Sequence, residues 1–486
     1  MNSLVNLIGR AAPRRMWLAA VAVCAALLVQ PAIAWAHAHL SKAEPAAGSV
    51  VATSPRVIRL WFTEGPELSL TKVVLTDSVG ATIRVGAAER DSAGPLVARV
   101  AILEALPSGR YTVNWSTAAS DGHPSKGHFT FRVNLAEVTA TATVTPPATT
   151  TALPSPVTPR SPAISRDSNI SSKAINTGTE DAAASAVTPA FVVVRAVSFV
   201  ALLALIGAVA FRSFVLRRIA GVDSATRLAI ERTLAWRAAL FAVAYVVAAL
   251  VRLYLQNRMM SGDAATDAAH LRAMSMGTDW GVAWRIQLFA GAAALMSLLV
   301  ARVRASLGWY AMSICAGMLA VGTTMGSHAH VAPVQPVLVS AFDFLHILAA
   351  SAWMGSLFWI ASVALPVIQS SPDNRARRAA ALVHAFSPVA LANATVVALT
   401  GFISAKYKFD HWSPLWSTTY GQVLLVKLAC LAVVAAVGYH NWRRVRPTLG
   451  TDAATARLER SASIELAVGL LVIIVTAVLV ATPTPV

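Results

Sequence analysis

Two short stretches of this sequence hold metal-binding side chains at close spacing. AWAHAHL, from Ala34 to Leu40, carries His37 and His39, and SDGHP, from Ser120 to Pro124, carries Asp121 and His123. The first stretch follows a segment that signal peptidase reads. Arg10, Arg14 and Arg15 give a positive start, Met16 to Val29 is apolar, and Ala34-Trp35-Ala36 supplies the small–x–small pattern. Cleavage after Ala36 makes His37 the first mature residue, with an α-amine and a ring Nδ1 placed to chelate one ion. If cleavage falls elsewhere, His37 is an ordinary surface residue. Such a chelate fills only part of the tetragonal nitrogen and oxygen set that Cu(II) prefers. Asp121 and His123 stand two apart, and in an extended segment such side chains project to one side. The predicted coordination is the amine and ring nitrogen of His37, a carboxylate oxygen of Asp121 and a ring nitrogen of His123. Read alone, DGHP is equally a plain turn. His39 allows a rival square-planar chelate with the amine and two amide nitrogens, but it leaves Asp121 and His123 without a role.

The segments around these residues read as strands. VIRLWF (57–62), TKVVLTD (71–77), TIRVG (82–86), LVARVAI (96–102), RYTVNWSTA (110–118) and GHFTFRV (127–133) alternate apolar and polar residues, with turn signals between them. Several short strands in about 100 residues predict a β-sandwich or Greek-key barrel over residues 37–135. Residues 1–36 form the expected signal peptide. Residues 136–188, rich in Pro, Thr, Ser and Ala, cannot bury a core and read as a disordered linker.

Residues 189–486 read as membrane. The chain has 486 residues, 56% of them hydrophobic and 13% charged, against about a quarter charged in an ordinary soluble protein. Apolar stretches of spanning length occur at roughly 190–211, 235–256, 282–301, 308–326, 338–366, 384–405, 418–440 and 463–482. With the barrel outside, the loops predicted inside carry sixteen arginines, and those predicted outside carry four basic residues. That alternation obeys the positive-inside rule and puts both the barrel and the C-terminus on the extracytoplasmic side. It also accounts for the net charge of +17 without nucleic acid, for which no zinc-finger or RNA-binding pattern is present. Cys24 falls in the signal peptide, and Cys315 and Cys430 fall in spans, so the exported segment has no thiolate metal site.

Ionisable groups within a bilayer are functional candidates by default. Asp343 and His346 stand i, i+3 in the fifth predicted span, on one helix face near its outer end. The loop before them adds His328 and His330, making a mouth that could receive copper. Alternatively, Asp343 and His346 pair with each other or with Arg252 and fix packing. Met318 and Met325, seven apart in the fourth span, lead toward His328, and thioether sulfur suits Cu(I). His384, His440 and Glu465 fall near inner helix ends, as an exit or as interfacial anchors.

HAHLSKAEPAAGSVV, RLWFTEG and the run from Tyr111 to Val133 that contains SDGHP resemble the CopC copper-binding domain. DFLHILAASAWMGSLF, FSPVALANATVVALTG and TTYGQVLLVKL resemble the CopD membrane domain. The resemblance implies a fused protein: an exported all-β Greek-key, cupredoxin-like barrel joined by the linker to an all-α domain of eight transmembrane helices. It implies a Cu(II) site at His37, Asp121 and His123. The exported segment has no methionine between His37 and Asn134, so a methionine-rich Cu(I) site is not expected there. The expected function is copper capture outside a bacterial cytoplasmic (inner) membrane and passage inward, without enzymatic activity. The partners are the copper ion, the lipid bilayer and a periplasmic copper donor or acceptor protein. A periplasmic buffer, copper delivery to a respiratory oxidase and a copper-dependent oxidase are the alternatives.

Overall fold

The computed structural model describes residues 40–118, 124–135, 189–261, 268–327, 335–370, 375–409, 411–445 and 451–482. The expected signal peptide, linker, His37, His39, Asp121, His123, His328 and His330 lie outside them.

Period-two alternation builds the N-terminal half. In β3 (Val57–Phe62) every second residue, Ile58, Leu60 and Phe62, is buried. β8 (Gly109–Ala118) buries Tyr111, Val113 and Trp115, and β9 (Pro124–Val133) buries Phe129, Phe131 and Val133. These strands join β1 (Leu40–Glu44), β2 (Val50–Val51), β4 (Lys72–Thr76), β5 (Thr82–Ile83), β6 (Val85–Arg90) and β7 (Val97–Ile102). One sheet runs β1-β3-β7-β6 and the other β2-β9-β8-β4-β5. The stretch expected as one strand over 82–86 divides at Arg84. β5 pairs with β4 and β6 pairs with β7, so the chain changes sheets there and closes a corner of the sandwich. Between the sheets Phe62 meets Trp115 edge-on, with ring centroids 5.3 Å apart. Gly127 lies beneath the same indole, where a Cβ would come within 2.8 Å of the ring. Trp115→Ala is expected to destabilise the barrel by about 3–5 kcal/mol through the cavity it leaves, read as a lower midpoint in urea.

Among the described residues, eight helices are long and apolar enough to cross a membrane: α1 (Pro189–Arg218), α2 (Ser224–Met259), α4 (Asp279–Ala301), α5 (Ala305–Met325), α6 (Val337–Gln369), α7 (Arg375–Tyr407), α8 (Thr419–Arg444) and α9 (Arg457–Ala481). A short helix, α3 (Ala268–Met276), precedes α4. α1 and α6 are the most buried of the spans. They touch backbone to backbone, because a Cβ on Gly207 would lie 2.7 Å from the Gly355 carbonyl carbon. Trp359 of α6 is fully buried and donates its indole N–H to the Ala204 carbonyl at 2.8 Å. α6 also carries two π-helical turns, Ser351–Gly355 and Ile360–Ala364. π-turns recur at functional sites because they re-aim side chains along a helix. Gly355→Val should force α1 and α6 apart, lowering the detergent-solubilised melting temperature while leaving the barrel's urea midpoint unchanged.

Candidate metal site

The frame around the expected capture ligands is described although the ligands are not. β8 and β9 stay paired up to Ala118 opposite Pro124, so residues 119–123 join two paired strand ends. The base of this hairpin is tied down. Ala118 accepts from the Glu67 backbone N–H at 2.8 Å, and the hydroxyls of Thr71 and Thr117 are 2.7 Å apart. Leu40, the first described residue, pairs with Phe62, whose ring packs on Trp115 of the hairpin. These contacts link the start of β1 to the β8–β9 hairpin. His128 is exposed on β9.

In the membrane half, Asp343 and His346 both lie half-buried near the first turns of α6. Asp343 engages the end of α5: Ser327 Oγ lies 3.0 Å from its Oδ2 and 2.8 Å from the Thr324 carbonyl. The hydroxyl has one proton and alternates between them. His346 engages α7, its Nδ1 lying 2.9 Å from Thr400 Oγ1. Thr400 donates its own proton to the Val396 carbonyl at 2.7 Å, so the threonine oxygen accepts and His346 Nδ1 carries the hydrogen. That tautomer leaves the ring lone pair on Nε2, the state in which a histidine can ligate a metal. The ring lies against α7, where a Cβ added at Gly401 would stand in ordinary contact with His346 Cε1 at 3.5 Å.

Other candidates fall elsewhere. Arg252 donates to Gln287 Oε1 at 2.6 Å and stacks over Trp280, an arrangement that already gives its charge partners. Met318 is 43% exposed on the outward face of α5, and Met325 is half-buried at its end. Glu465 is buried and accepts from Asn441 Nδ2 at 2.6 Å, while His384 and His440 are exposed. Among the described residues no three of His, Cys, Asp and Glu gather into a metal-binding group. Sequence reading passed over Ser327 and Thr400. Their signal is a hydroxyl at or beside an apolar span, and its partner lies on another helix.

Three family descriptions match this chain. The CopC domain matches residues 40–134, the copper resistance protein D-like N-terminal domain 184–333, and copper resistance protein D 380–479. The copper transport protein CutJ of Bacillus subtilis is 24% identical over 467 residues, covering 94% of this chain and 76% of CutJ. Protein YobA of Escherichia coli is 37% identical over 114 residues, covering 24% of this chain and 91% of YobA. Among solved structures, CopC from Methylosinus trichosporium OB3b is 30% identical, covering 21% of this chain and 97% of that one, with a TM-score of 0.20. The methionine-rich copper resistance protein PcoC from Escherichia coli is 30% identical, covering 20% of this chain and all of that one, with a TM-score of 0.19. With a β-sandwich, eight apolar helices among the described residues and these family matches in the same order along the sequence, the chain belongs to the CopC–CopD copper resistance family.

Proposed function

We propose that this protein captures Cu(II) outside the bacterial cytoplasmic membrane and passes copper through its helical half toward the cytoplasm. The capture ligands are His37, Asp121 and His123, and the barrel and both termini of the mature chain are extracytoplasmic. The mouth of the path is the outer end of α6, where Asp343 and His346 stand; His328 and His330, in the sequence between α5 and α6, are further candidate ligands. The observation that carries this reading is the oriented pair at that mouth: a carboxylate beside the end of α5 and an imidazole whose Nδ1–H is fixed by Thr400. Both are hard or borderline donors suited to copper, and both sit in an apolar span where an idle charge is expensive. The similarity to the copper transport protein CutJ of Bacillus subtilis supports this reading. Copper is the cargo here, and the protein acts as a carrier rather than a catalyst.

The test is uptake into proteoliposomes that hold the full chain in one orientation. Copper added on the barrel side should accumulate inside, and protein-free vesicles should take up none. Equal accumulation with and without protein would leave the chain as a copper buffer anchored in the membrane.

A further inference from the structure

The stretch Glu67 to Lys72, between β3 and β4, joins the barrel to the membrane half. Its 3-10 turn, Leu68–Leu70, lies against α3 and the start of α4. Ser69 Oγ donates to the Gly277 carbonyl at 2.9 Å. Leu70 packs beside Met274, Trp280 and Trp284, and Lys72 Nζ is 3.5 Å from His270 Nε2. Glu67 Oε1 accepts from the backbone N–H of Asp279 at 2.9 Å, so a residue of the barrel occupies the N-terminus of a membrane helix. The same stretch supports the capture hairpin. The Glu67 N–H holds the Ala118 carbonyl, and Thr71 donates to the Glu67 carbonyl at 2.9 Å while meeting Thr117. Spans alternate in direction, so the start of α4 and the start of α6 open on one side, and the barrel sits on the side of Asp343 and His346.

We propose that Glu67 to Lys72 is a reversible, proton-linked latch that seats the barrel on α3 and α4 with its capture hairpin held at the membrane half. This rests on the reading that the barrel carries copper. The chemistry of the latch is set by where Glu67 lies. It is half-buried between the halves, it faces the Asp279 carboxylate of α4, and the charge opposing it is Arg90 of β6; Lys72 and His270 meet further along the contact. A neutral carboxyl still accepts the Asp279 N–H through its carbonyl oxygen. A carboxylate gains from the helix N-terminus but must shed water and stand beside a like charge.

Burial, with the nearby Asp279 charge, pushes the Glu67 carboxyl up to about 7, although the Asp279 and Trp280 N–H groups and Arg90 favour the anion. Unseated, Glu67 faces water and returns to the ordinary carboxylate range. Because its pKa is higher when seated, seating takes up a proton. The latch is strongest below the ordinary carboxylate range, weakens by up to about tenfold per pH unit as pH rises toward 7, and levels off above it. Copper capture by nitrogen ligands runs the other way, since acid protonates them. Falling pH thus seats the barrel and loosens its cargo together.

The experiment uses the full chain in lipid nanodiscs without copper, with Cys315 and Cys430 replaced by serine. Spin labels at the exposed positions Val79 of the barrel and Val303 of the membrane half report seating as one narrow distance. The narrow fraction should fall as pH rises from 5 to 8. Glu67→Gln should stay seated with no pH dependence, and Glu67→Ala should lose seated fraction at every pH. A wild-type distribution that ignores pH, or a Glu67→Gln variant that titrates as the wild type does, overturns the latch. Copper affinity measured on the same samples reports separately on the capture reading.

Discussion

Replacing His346 by alanine is expected to stop most copper passage through the membrane half, cutting the initial uptake rate by about tenfold or more. The expectation follows from how the ring is held. Nδ1 donates to Thr400, whose own proton is committed to the Val396 carbonyl, so Nε2 keeps the lone pair in a fixed direction. Alanine removes that donor and is expected to leave the fold alone, because the ring is half-buried and is not part of the buried core. Thr400→Val is the finer instrument. It keeps the shape of the side chain but removes the oxygen that accepts from Nδ1, so the ring is free to take the other tautomer or turn. Loss of an outer partner of this kind typically lowers metal affinity by about 10–100-fold, so Thr400→Val should raise the copper concentration for half-maximal uptake while retaining much of the maximal rate. Met318→Leu should match the wild type in both, since Met318 faces outward from α5. Uptake by the His346→Ala variant at the wild-type rate would move the path away from α6.

What sequence reveals about this chain divides by the range of the interaction. Strand alternation and apolar span length are local, so β3 appears over the same six residues expected from VIRLWF, and all eight spans appear, each longer overall than its apolar stretch. The ends lengthen because α2 and α7 continue as helices past their apolar stretches into arginine-bearing segments. The division at Arg84 was not legible, because each side of that residue alternates well and only the choice of partner, β4 or β7, separates them. The partners at the mouth escaped for the same reason. Thr400 is 54 residues from His346, and Glu67 is 212 residues from Asp279, so neither contact leaves a periodic trace. Gly207 and Gly355 likewise look like ordinary small residues of apolar spans until their helices are seen to cross there.

The second large effect is expected at the first residue of the mature protein. Mass spectrometry of the purified chain should give His37 as residue one. Placing a single glycine before it should lower Cu(II) affinity by roughly two orders of magnitude or more, because the five-atom reach between amine and Nδ1 is lost while the imidazole remains. His123→Ala should have an effect of similar size. Asp121→Asn should have a smaller one, since an amide oxygen still coordinates without charge. The barrel is a fair subject for this measurement on its own: it has a separate core around Leu60, Trp115 and Phe131, and YobA is covered over 91% of its length by the matching region. Affinity should also fall as the pH drops through about 8 to 6, where the α-amine and imidazole bind protons in place of copper. The glycine-extended chain discriminates among ligand sets. If it binds as tightly as the native one, with fewer coordinated nitrogens in its spectrum, then the hairpin alone holds the ion. If the native chain keeps its affinity after Asp121 and His123 are both replaced, the first three residues hold the ion through His39, and the hairpin has another purpose.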